Sequence, residues 1–350
     1  MIFENIKIAG ISAAVPRTVV NNLRDHAFVP LEEREKTVKL TGVEEYRKAA
    51  DDQTTADLCE AAARALLKGL NVDPKTVDGL ILVTMTPDYV APSTACVLQA
   101  KLGLPLAAVT FDVNLGCSGY VYGLYIACSL IQGGSLKRVL LLAGDTQTKI
   151  CYEQDKNTVF LLGDAGSATI LESAPGSSSP IRMKFMTDGS KKDSLIVPAG
   201  GFRNPSNDKT RKIEKQPDGG TRSHEHLYLN GMEVFNFSIT DVVSTIKEFI
   251  AEENIQVDGM DYLVLHQANK FMTDKIAKKL GFPADKVPYS LSKYGNTSSA
   301  SIPLTMAHCF SKLGDKKDLR CLLSGFGVGL SWGVVDINLQ STRYLDVIEV

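Results

Sequence analysis

The chain contains an internal duplication, which restricts its fold to architectures built from two similar halves. In the first half, a helix pattern leads to an apolar strand pattern and then to a helix ending in Lys-Leu-Gly-Leu-Pro; the second half repeats this order and ends in Lys-Leu-Gly-Phe-Pro. The matching segments are 57–70, 79–83 and 101–105 in the first half, and 242–252, 262–265 and 279–283 in the second. The correspondence predicts two βα units with the same order of elements.

The duplication continues beyond these segments. A strand and a glycine turn are expected before Gly116-Cys117 and again before Gly295-Asn296, and each pair is expected to open a helix. Apolar runs at 136–144 and 319–325 then close the two halves. Strands that alternate with helices favour parallel sheets with right-handed crossovers. A pseudo-twofold relation would bring equivalent loops together at the carboxyl ends of the strands, where such sheets bind ligands.

A polar segment from about 175 to 220, rich in Ser, Pro, Gly, Asn and Lys, interrupts this pattern. We interpret it as the connection between the halves together with a surface excursion. The predicted domains are therefore an N-terminal half, 1–175, and a C-terminal half, 176–350. A chain of 350 residues with 44% hydrophobic content can bury the large core that such a fold requires.

Charge and cysteine spacing exclude several classes of function. The formal net charge of −2 gives no global field for nucleic acid or an anionic membrane. The seven cysteines are scattered, without a C-x-x-C pair or zinc-site spacing, so we expect reduced thiols and no metal site. The N-terminus lacks a signal-peptide pattern and no apolar run could span a bilayer, so we expect a cytoplasmic protein.

Cys117 is the first candidate for chemistry. It follows a short strand pattern and precedes a helix of small and apolar residues at 120–131. At a helix N-terminus, unpaired N–H groups and the positive end of the helix dipole favour a thiolate, and the same N–H groups can hold an oxyanion. A small buried core cysteine is the more ordinary explanation when the residue is taken alone.

Two polar residues of the second half are further candidates. His266 ends an apolar strand, where α/β folds place catalytic side chains, and a neutral imidazole there could donate to an enolate oxygen or accept a proton. Asn296 lies in a turn-and-cap cluster, and its amide could donate to an oxyanion without adding charge. Taken singly, a core histidine and an N-cap are the more ordinary explanations of these residues, but the duplication brings both towards Cys117.

A glycine-rich loop follows the last apolar run, in Leu-Leu-Ser-Gly-Phe-Gly-Val-Gly-Leu-Ser-Trp-Gly at 322–333. A tight turn that needs positive φ angles is its simple explanation. Its functional interpretation is a backbone N–H supplied to an oxyanion hole facing Cys117. Phosphate binding is disfavoured, because neither G-x-G-x-x-G before a helix nor a Walker pattern is present.

Four motifs resemble the ketoacyl-acyl carrier protein synthase III family: Asp-Val-Asn-Leu-Gly-Cys-Ser-Gly, Leu-His-Gln-Ala-Asn, Tyr-Gly-Asn-Thr-Ser-Ser-Ala-Ser and Gly-Phe-Gly-Val-Gly-Leu-Ser-Trp-Gly. The resemblance covers nearly the whole chain. It implies an α/β, thiolase-like fold in which two pseudo-twofold-related βα halves form a layered α/β/α/β/α core. It also implies a homodimer.

The resemblance further implies a two-step reaction. Cys117 would accept an acyl group from a thioester, with the oxyanion held by the backbone N–H groups of Cys117 and Val328. His266 and Asn296 would stabilise the enolate left when a malonyl thioester loses carbon dioxide, and that enolate would attack the acyl-enzyme. The product would be a 3-oxoacyl thioester for fatty-acid or specialised-metabolite biosynthesis. No metal or redox cofactor is implied; the substrates are thioesters of coenzyme A or acyl carrier protein.

Several positions depart from the commonest members of the family. Lys36 and Leu40 stand where a Trp and an Arg usually precede Thr-Gly-Ile, and Phe271 replaces an Arg after His-Gln-Ala-Asn. Losing the aromatic platform and the guanidinium groups weakens the expectation of a coenzyme A primer and favours a carrier protein. Ala91 stands where many members have a Phe that limits the acyl pocket across the dimer interface, so we expect a longer or bulkier acyl chain.

The helix after His266 offers basic residues, and we expect Asn269, Lys270 and Lys275 at a site for the acyl carrier protein or its phosphopantetheine arm. An ordinary solvated helix face explains the lysines equally well.

Three other functions stay open, two of them enzymatic and one noncatalytic. Transfer of the acyl group to an alcohol or amine needs no enolate, so Asn296 favours decarboxylation over it. A cysteine hydrolase is disfavoured by the duplicated architecture and by the small-residue helix after Cys117. A noncatalytic partner subunit is disfavoured because Cys117, His266 and Asn296 are all retained.

Overall fold

The computed structural model describes residues 1–176, 179–313 and 318–350. In chain order, the strands β1 to β18 of these ranges are Ile2–Phe3, Ile6–Val15, Val19–Asn21, Glu45–Arg47, Gly79–Val83, Val109–Val113, Arg138–Asp145, Ala165–Ser173, Ile181–Thr187, Leu195–Ile196, Glu214–Lys215, Thr221–Arg222, Tyr228–Leu229, Tyr262–Leu265, Arg320–Gly327, Ser331–Asn338, Arg343–Tyr344 and Ile348–Glu349. The helices α1 to α10 are Leu31–Thr41, Thr55–Leu70, Thr94–Lys101, Gly119–Gln132, Asp208–Arg211, Gly231–Phe237, Val243–Glu252, Lys270–Leu280, Leu291–Tyr294 and Ser301–Phe310.

Two sheets carry the predicted repeat. The N-terminal sheet has the order β17-β2-β8-β7-β5-β6, with β18 also paired to β2, and the C-terminal sheet has the order β1-β9-β16-β15-β14. Strands β2, β8, β7 and β5 of the first sheet therefore correspond in order to β9, β16, β15 and β14 of the second. The duplication predicted from sequence is present as two sheets of matching topology.

The sheets are mixed, so the prediction of parallel sheets is only partly right. β5 runs parallel to β6 and β7, and β14 runs parallel to β15. β8 pairs in antiparallel fashion with β7 and β2, and β16 does so with β15 and β9, whereas β17 and β18 run parallel to β2. In the second half, the turn from Gly327 to Ser331 leads directly from β15 to β16, and a connection this short can join only antiparallel strands.

One predicted strand is absent. Residues 287–290, which approach Gly295-Asn296, form no strand and lead instead into the short helix α9. Pro288 has no backbone N–H to give to a ladder, which disfavours a strand here. Asn296 forms only an isolated parallel bridge with Leu162, and the chain then enters α10 through a 3₁₀ turn at Ser298–Ala300.

The core has five layers, in the order helices, sheet, helices, sheet, helices. Helices α4 and α10 form the central layer, where Tyr120, Leu124 and Met306 pack against inward residues of both sheets, such as Leu141 and Leu323. Helices α2 and α3 cover the outer face of the N-terminal sheet, and α7 and α8 cover that of the C-terminal sheet. The central helices therefore bring the ends of both sheets to one place.

The two ends of the chain exchange sheets. β1 pairs with β9 in the C-terminal sheet, whereas β17 and β18 pair with β2 in the N-terminal sheet. β8 ends at Ser173 and β9 begins at Ile181, on either side of the expected boundary between the halves. That boundary stays a prediction, because each end of the chain adds strands to the sheet of the opposite half.

Candidate active site

Cys117 lies between β6 and α4, just before the helix begins, and it is buried. Its Sγ is 4.0 Å from Ser298 Oγ. Burial raises the pKa of Cys117 to about 12, and the charge of Asp145 acts in the same direction; hydrogen bonds from Ser298 and from the backbone of Val328 and Cys117 lower it. Burial therefore acts against the thiolate that the helix N-terminus and the local donors favour.

The glycine-rich loop approaches the nucleophile closely. A Cβ added to Gly327 would lie 2.5 Å from Cys117 Cβ, so only glycine allows this approach. Ser331 Oγ donates to Val328 O at 2.8 Å and lies 2.7 Å from the hydroxyl of Ser118, the neighbour of Cys117. These bonds hold the loop so that the N–H groups of Val328 and Cys117 face the same sulfur. Two donors arranged in this way can stabilise an oxyanion.

His266 follows β14 directly and is buried. Its Nδ1 lies 2.7 Å from Ser301 Oγ, and its ring meets Phe326 edge-on with centroids 5.4 Å apart. Burial lowers the pKa of His266 to about 3, although a hydrogen bond with the Ser298 backbone acts in the opposite direction. The imidazole is therefore neutral at ordinary pH, with one nitrogen that donates and one that accepts.

Asn296 is held rigidly by its own backbone. Its N–H donates to Leu161 O at 2.8 Å, and its carbonyl accepts from Gly163 N at 3.0 Å and from Gln147 Nε2 at 2.9 Å. The side-chain Oδ1 accepts from Ser298 N at 2.9 Å. Because the oxygen is engaged by the backbone, the amide can act on a ligand through its Nδ2 donors.

The structure brings Cys117, His266 and Asn296 together at one cavity of about 440 Å³. This volume is within the range of small-molecule sites. Apart from these three residues, the walls are almost entirely apolar, and they include Leu161, Leu162, Leu195, Leu227, Val234 and Phe326. Polar, uncharged reactive groups thus meet in a cavity that offers few other polar contacts.

Asp145 is a buried residue that the sequence reasoning missed. It ends β7, and its carboxylate accepts from Met85 N at 2.7 Å and from Ser299 Oγ at 2.7 Å. Met85 in turn packs on Gly116, where an added Cβ would lie 2.5 Å from its sulfur. Asp145 therefore links the turn after β5 to the turn before α10, and both flank Cys117. A lone Asp at the carboxyl end of an apolar strand was the available signal.

Of the three residues expected at the carrier site, Asn269 lines the cavity, whereas Lys270 and Lys275 do not. The Oδ1 of Asn269 also caps α8 by accepting from Met272 N at 2.8 Å. Lys270 is exposed and forms an ion pair with Asp274 at 2.7 Å. The ammonium group of Lys275 lies 5.3 Å from the centroid of the Phe271 ring.

Ala91 is not brought to the cavity within one chain. It lies on the exposed loop after β5, beside Tyr89 and Val90, and is not among the residues that line the cavity. Its predicted role depends on the pocket of a second subunit.

The opening of the cavity carries three large apolar side chains. Leu40 is 56% exposed, Met232 70% and Phe271 41%, and all three also line the cavity. We call them the apolar rim. The ring of Phe271 is stacked on Phe235 with centroids 5.4 Å apart. Lys36, where the family usually has Trp, points its ammonium group to Glu32 at 2.7 Å.

Comparison with known proteins identifies the family. The models described as 3-oxoacyl-[acyl-carrier-protein (ACP)] synthase III and its C-terminal part match residues 111–189 and 250–339. The chain is 34% identical to a beta-ketoacyl-[acyl-carrier-protein] synthase III of Clostridium perfringens over 96% of its length and 100% of the relative. The chain belongs to the 3-oxoacyl-[acyl-carrier-protein] synthase III family. It therefore belongs to the condensing enzymes.

Solved structures agree with this 3-oxoacyl-[acyl-carrier-protein] synthase III assignment. A 3-oxoacyl-(acyl-carrier protein) synthase from Burkholderia xenovorans LB400 superimposes with a TM-score of 0.94 at 37% identity, covering 100% of this chain and 98% of that one. The priming beta-ketosynthase from the R1128 polyketide pathway gives 0.82 at 26% identity, covering 97% of both. The predicted thiolase-like fold is confirmed.

The cysteines, the helices and the possible metal ligands of this synthase III-family protein were compared over the described residues. The cysteines at 59, 96, 117, 128, 151 and 309 are free thiols. No helix within ranges 1–176, 179–313 and 318–350 is both long and apolar enough to cross a membrane. Nor do the described side chains include a group of three His, Cys, Asp or Glu placed to hold a metal ion.

Proposed function

We propose that the protein transfers an acyl group from a thioester to Cys117 and condenses it with a malonyl thioester, with loss of carbon dioxide, to give a 3-oxoacyl thioester. One observation carries this proposal: Cys117, His266 and Asn296 meet at a single apolar cavity. Family membership supports the reaction class.

In the first step, the thiol of Cys117 attacks the thioester carbonyl of the donor. Because burial raises the pKa of this thiol, the proton must leave as the bond forms, and the neutral imidazole of His266 is available to accept it. Negative charge develops on the carbonyl oxygen, where the N–H groups of Cys117 and Val328 stabilise it. The donor leaves as a free thiol that takes the proton.

In the second step, a malonyl thioester occupies the same cavity. Breaking the bond to its carboxylate releases carbon dioxide and leaves an enolate, whose oxygen accepts hydrogen bonds from His266 and from Asn296 Nδ2. The enolate carbon attacks the acyl-Cys117 carbonyl, and the bond from that carbon to the Cys117 sulfur breaks to yield the product. The thiolate released in this way takes a proton from the solvent, which restores the thiol. An apolar cavity favours this step because the carboxylate loses its hydration there.

We further propose that the acyl donor is carried by an acyl carrier protein. At the opening, Leu40 and Phe271 provide no guanidinium group for the phosphates of coenzyme A. Asn269 lines the cavity, where it would contact a phosphopantetheine arm, and the exposed Lys270 and Lys275 of α8 would attract an acidic carrier.

The protein is also proposed to act as a homodimer. β6 lies at the edge of its sheet and is only partly buried, so one side of it is open to pair with a second copy. The loop that carries Ala91, with the exposed Tyr89 and Val90, would then lie in the interface. Ala91 would face the acyl pocket of the partner, leaving room for a longer chain.

Intact-protein mass spectrometry tests the proposal. After incubation with acyl-carrier and acyl-coenzyme A donors, the wild type should gain the mass of an acyl group, and Cys117→Ala should not. Cys128→Ala is the matched control, because Cys128 is a buried thiol of the adjoining helix α4 and should leave the adduct unchanged. No adduct on the wild type with any donor would contradict the proposal.

The second step needs a separate measurement. We expect His266→Ala and Asn296→Ala to release carbon dioxide from a malonyl thioester at least about a hundredfold more slowly, as when an oxyanion-hole donor is removed. Acyl transfer to an alcohol or amine is the alternative. An acyl-enzyme that turns over with these acceptors, and with malonyl thioester releases no carbon dioxide, would establish it instead.

A further inference from the structure

Gln147 is a polar side chain in a cavity wall that is otherwise largely apolar. It lies in the 3₁₀ turn that follows β7 and is only 2% exposed. It lines the same cavity as Cys117, His266 and Asn296. A buried polar group costs free energy unless it has a hydrogen-bond partner, so each polar atom of this amide needs one.

The backbone on both sides holds Gln147 in place. The N–H of Thr146 donates to Thr86 Oγ1 at 2.9 Å, and the N–H of Thr148 donates to Asp164 Oδ1 at 2.9 Å. A side chain carried by a backbone that is fixed in this way loses little conformational entropy when a ligand binds to it. The amide of Gln147 is therefore suited to hold one group of a substrate in one position.

The protein uses one polar atom of this amide and leaves the other available. Nε2 donates to the carbonyl of Asn296 at 2.9 Å. Because a carbonyl can only accept, this bond fixes the orientation of the amide and directs Oε1 away from Asn296. Among the described residues, no group donates to Oε1, and Oε1 is not one of the fully buried atoms without a partner. Oε1 therefore keeps some accessible surface, which faces the cavity that Gln147 lines.

Gln147 belongs to the buried part of the cavity wall. The three residues of the apolar rim, at the opening, are between 41% and 70% exposed, whereas Gln147 is 2% and Leu162, which also contacts Asn296, is 5% exposed. The arm of a thioester donor enters through the opening, and its carbonyl stops at Cys117. The buried part of the cavity is then left for the acyl group.

We propose that Gln147 is a specificity residue that selects an acyl group with a hydroxyl. The hydroxyl donates to Oε1 and supplies the partner that this acceptor lacks within the protein. A wholly apolar acyl group would displace water from Oε1 and leave the acceptor unpaired, which disfavours its transfer to Cys117. This inference rests on the proposed function, because it takes the acyl group to be loaded onto Cys117.

The test compares acyl groups that share one small arm. Hexanoyl-N-acetylcysteamine and its derivatives with a hydroxyl on the second, third or terminal carbon are offered singly, and the rate of acyl-Cys117 formation is measured by intact-protein mass spectrometry. At least one hydroxylated donor should acylate the wild type at least about tenfold faster than the hexanoyl donor. Gln147→Leu, which has no hydrogen-bonding group, should lower this rate ratio at least about tenfold.

Gln99→Leu is the matched control. Gln99 Nε2 also donates to a carbonyl, that of Leu104 at 2.9 Å, but Gln99 does not line the cavity. The same substitution there should leave the rate ratio unchanged. Gln147→Met, which has an unbranched side chain of similar length, repeats the measurement if the branched leucine disturbs the fold, and it should lower the ratio as Gln147→Leu does.

A wild type that prefers the hexanoyl donor to every hydroxylated one, or a rate ratio that Gln147→Leu and Gln147→Met leave unchanged, would overturn this inference. An equal loss with all donors would also overturn it, since Gln147 would then act on the amide N–H of the shared arm or on Asn296. If the wild type forms no acyl-enzyme with any donor, the proposed function itself fails. Acylation by the hexanoyl donor alone rejects only the selection by Gln147.

Discussion

His266 couples the chemistry of the site to the stability of the fold. Burial lowers its pKa to about 3, from an ordinary value of 6.5. As the pH falls below 6.5, the unfolded chain binds a proton at this imidazole while the folded chain does not. The contribution of the neutral His266 to the free energy of unfolding is therefore fully present above pH 6.5 and is lost progressively between pH 6.5 and pH 3. Each pH unit in this interval costs about 1.4 kcal/mol, so His266 alone removes about 2 kcal/mol at pH 5.

His266→Gln removes this titration and keeps a polar side chain. The free energy of unfolding, measured by denaturant titration at pH 7.5 and at pH 5, should fall by about 2 kcal/mol more in the wild type than in the variant. Asp164, whose pKa burial raises to about 6, affects both proteins equally and cancels in the comparison. His224→Gln is the control, because that side chain is exposed. If wild type and His266→Gln lost the same free energy, the neutral, buried imidazole would be refuted.

Four other predictions follow from the same geometry. Alkylation of Cys117 by iodoacetamide should keep accelerating through pH 9, because burial raises its pKa to about 12; a plateau near pH 7 would contradict this. Gly327→Ala should slow acyl-enzyme formation at least about tenfold in mass spectrometry, because its Cβ would lie 2.5 Å from Cys117 Cβ. Asp145→Ala should lower the free energy of unfolding by about 1–3 kcal/mol, because it strands buried donors such as Met85 N, and a smaller loss in denaturant titration would count against that network. Ala91→Phe should shorten the longest acyl chain that loads onto Cys117 from a mixed-length donor panel, and an unchanged limit would remove Ala91 from the acyl pocket.

The repeat was predictable because the same local helix and strand patterns follow one another in the same order in both halves. The apolar runs at 79–83 and 262–265 became β5 and β14 with the same bounds. Those at 136–144 and 319–325 became the matched strands β7 and β15. Local pattern could not reveal that β8 and β16 run antiparallel to β7 and β15, because the direction in which each strand returns depends on tertiary packing.

The convergence of the candidate residues was predictable, but the effect of burial on them was not. The repeat put Cys117 and Asn296 at matched helix starts and His266 at the end of a strand, and all three line the cavity. The strand expected before Asn296 is replaced by α9, since the segment contains Pro288. The pKa of Cys117 was expected to fall because only its neighbours in sequence were visible. Burial comes from both sheets and the loop at Gly327, so no local window contains it.

Several polar atoms of the site already make hydrogen bonds within the protein, and this favours carbon–carbon bond formation over hydrolysis. A hydrolase needs a water molecule held next to the acyl-enzyme, and an ordered water needs two to four polar partners. Here Asn296 Oδ1 is occupied by Ser298 N, and Nδ1 of His266 is next to Ser301 Oγ. Gln147 Nε2 is occupied by the Asn296 carbonyl, and the remaining walls are largely apolar. Beside Gln147 Oε1, which we assign to the acyl group, the polar groups that remain for a water molecule are those assigned to the enolate, Asn296 Nδ2 and the imidazole of His266, and a bound malonyl thioester would occupy both. The acyl group can then persist until an enolate, generated in the cavity, attacks it.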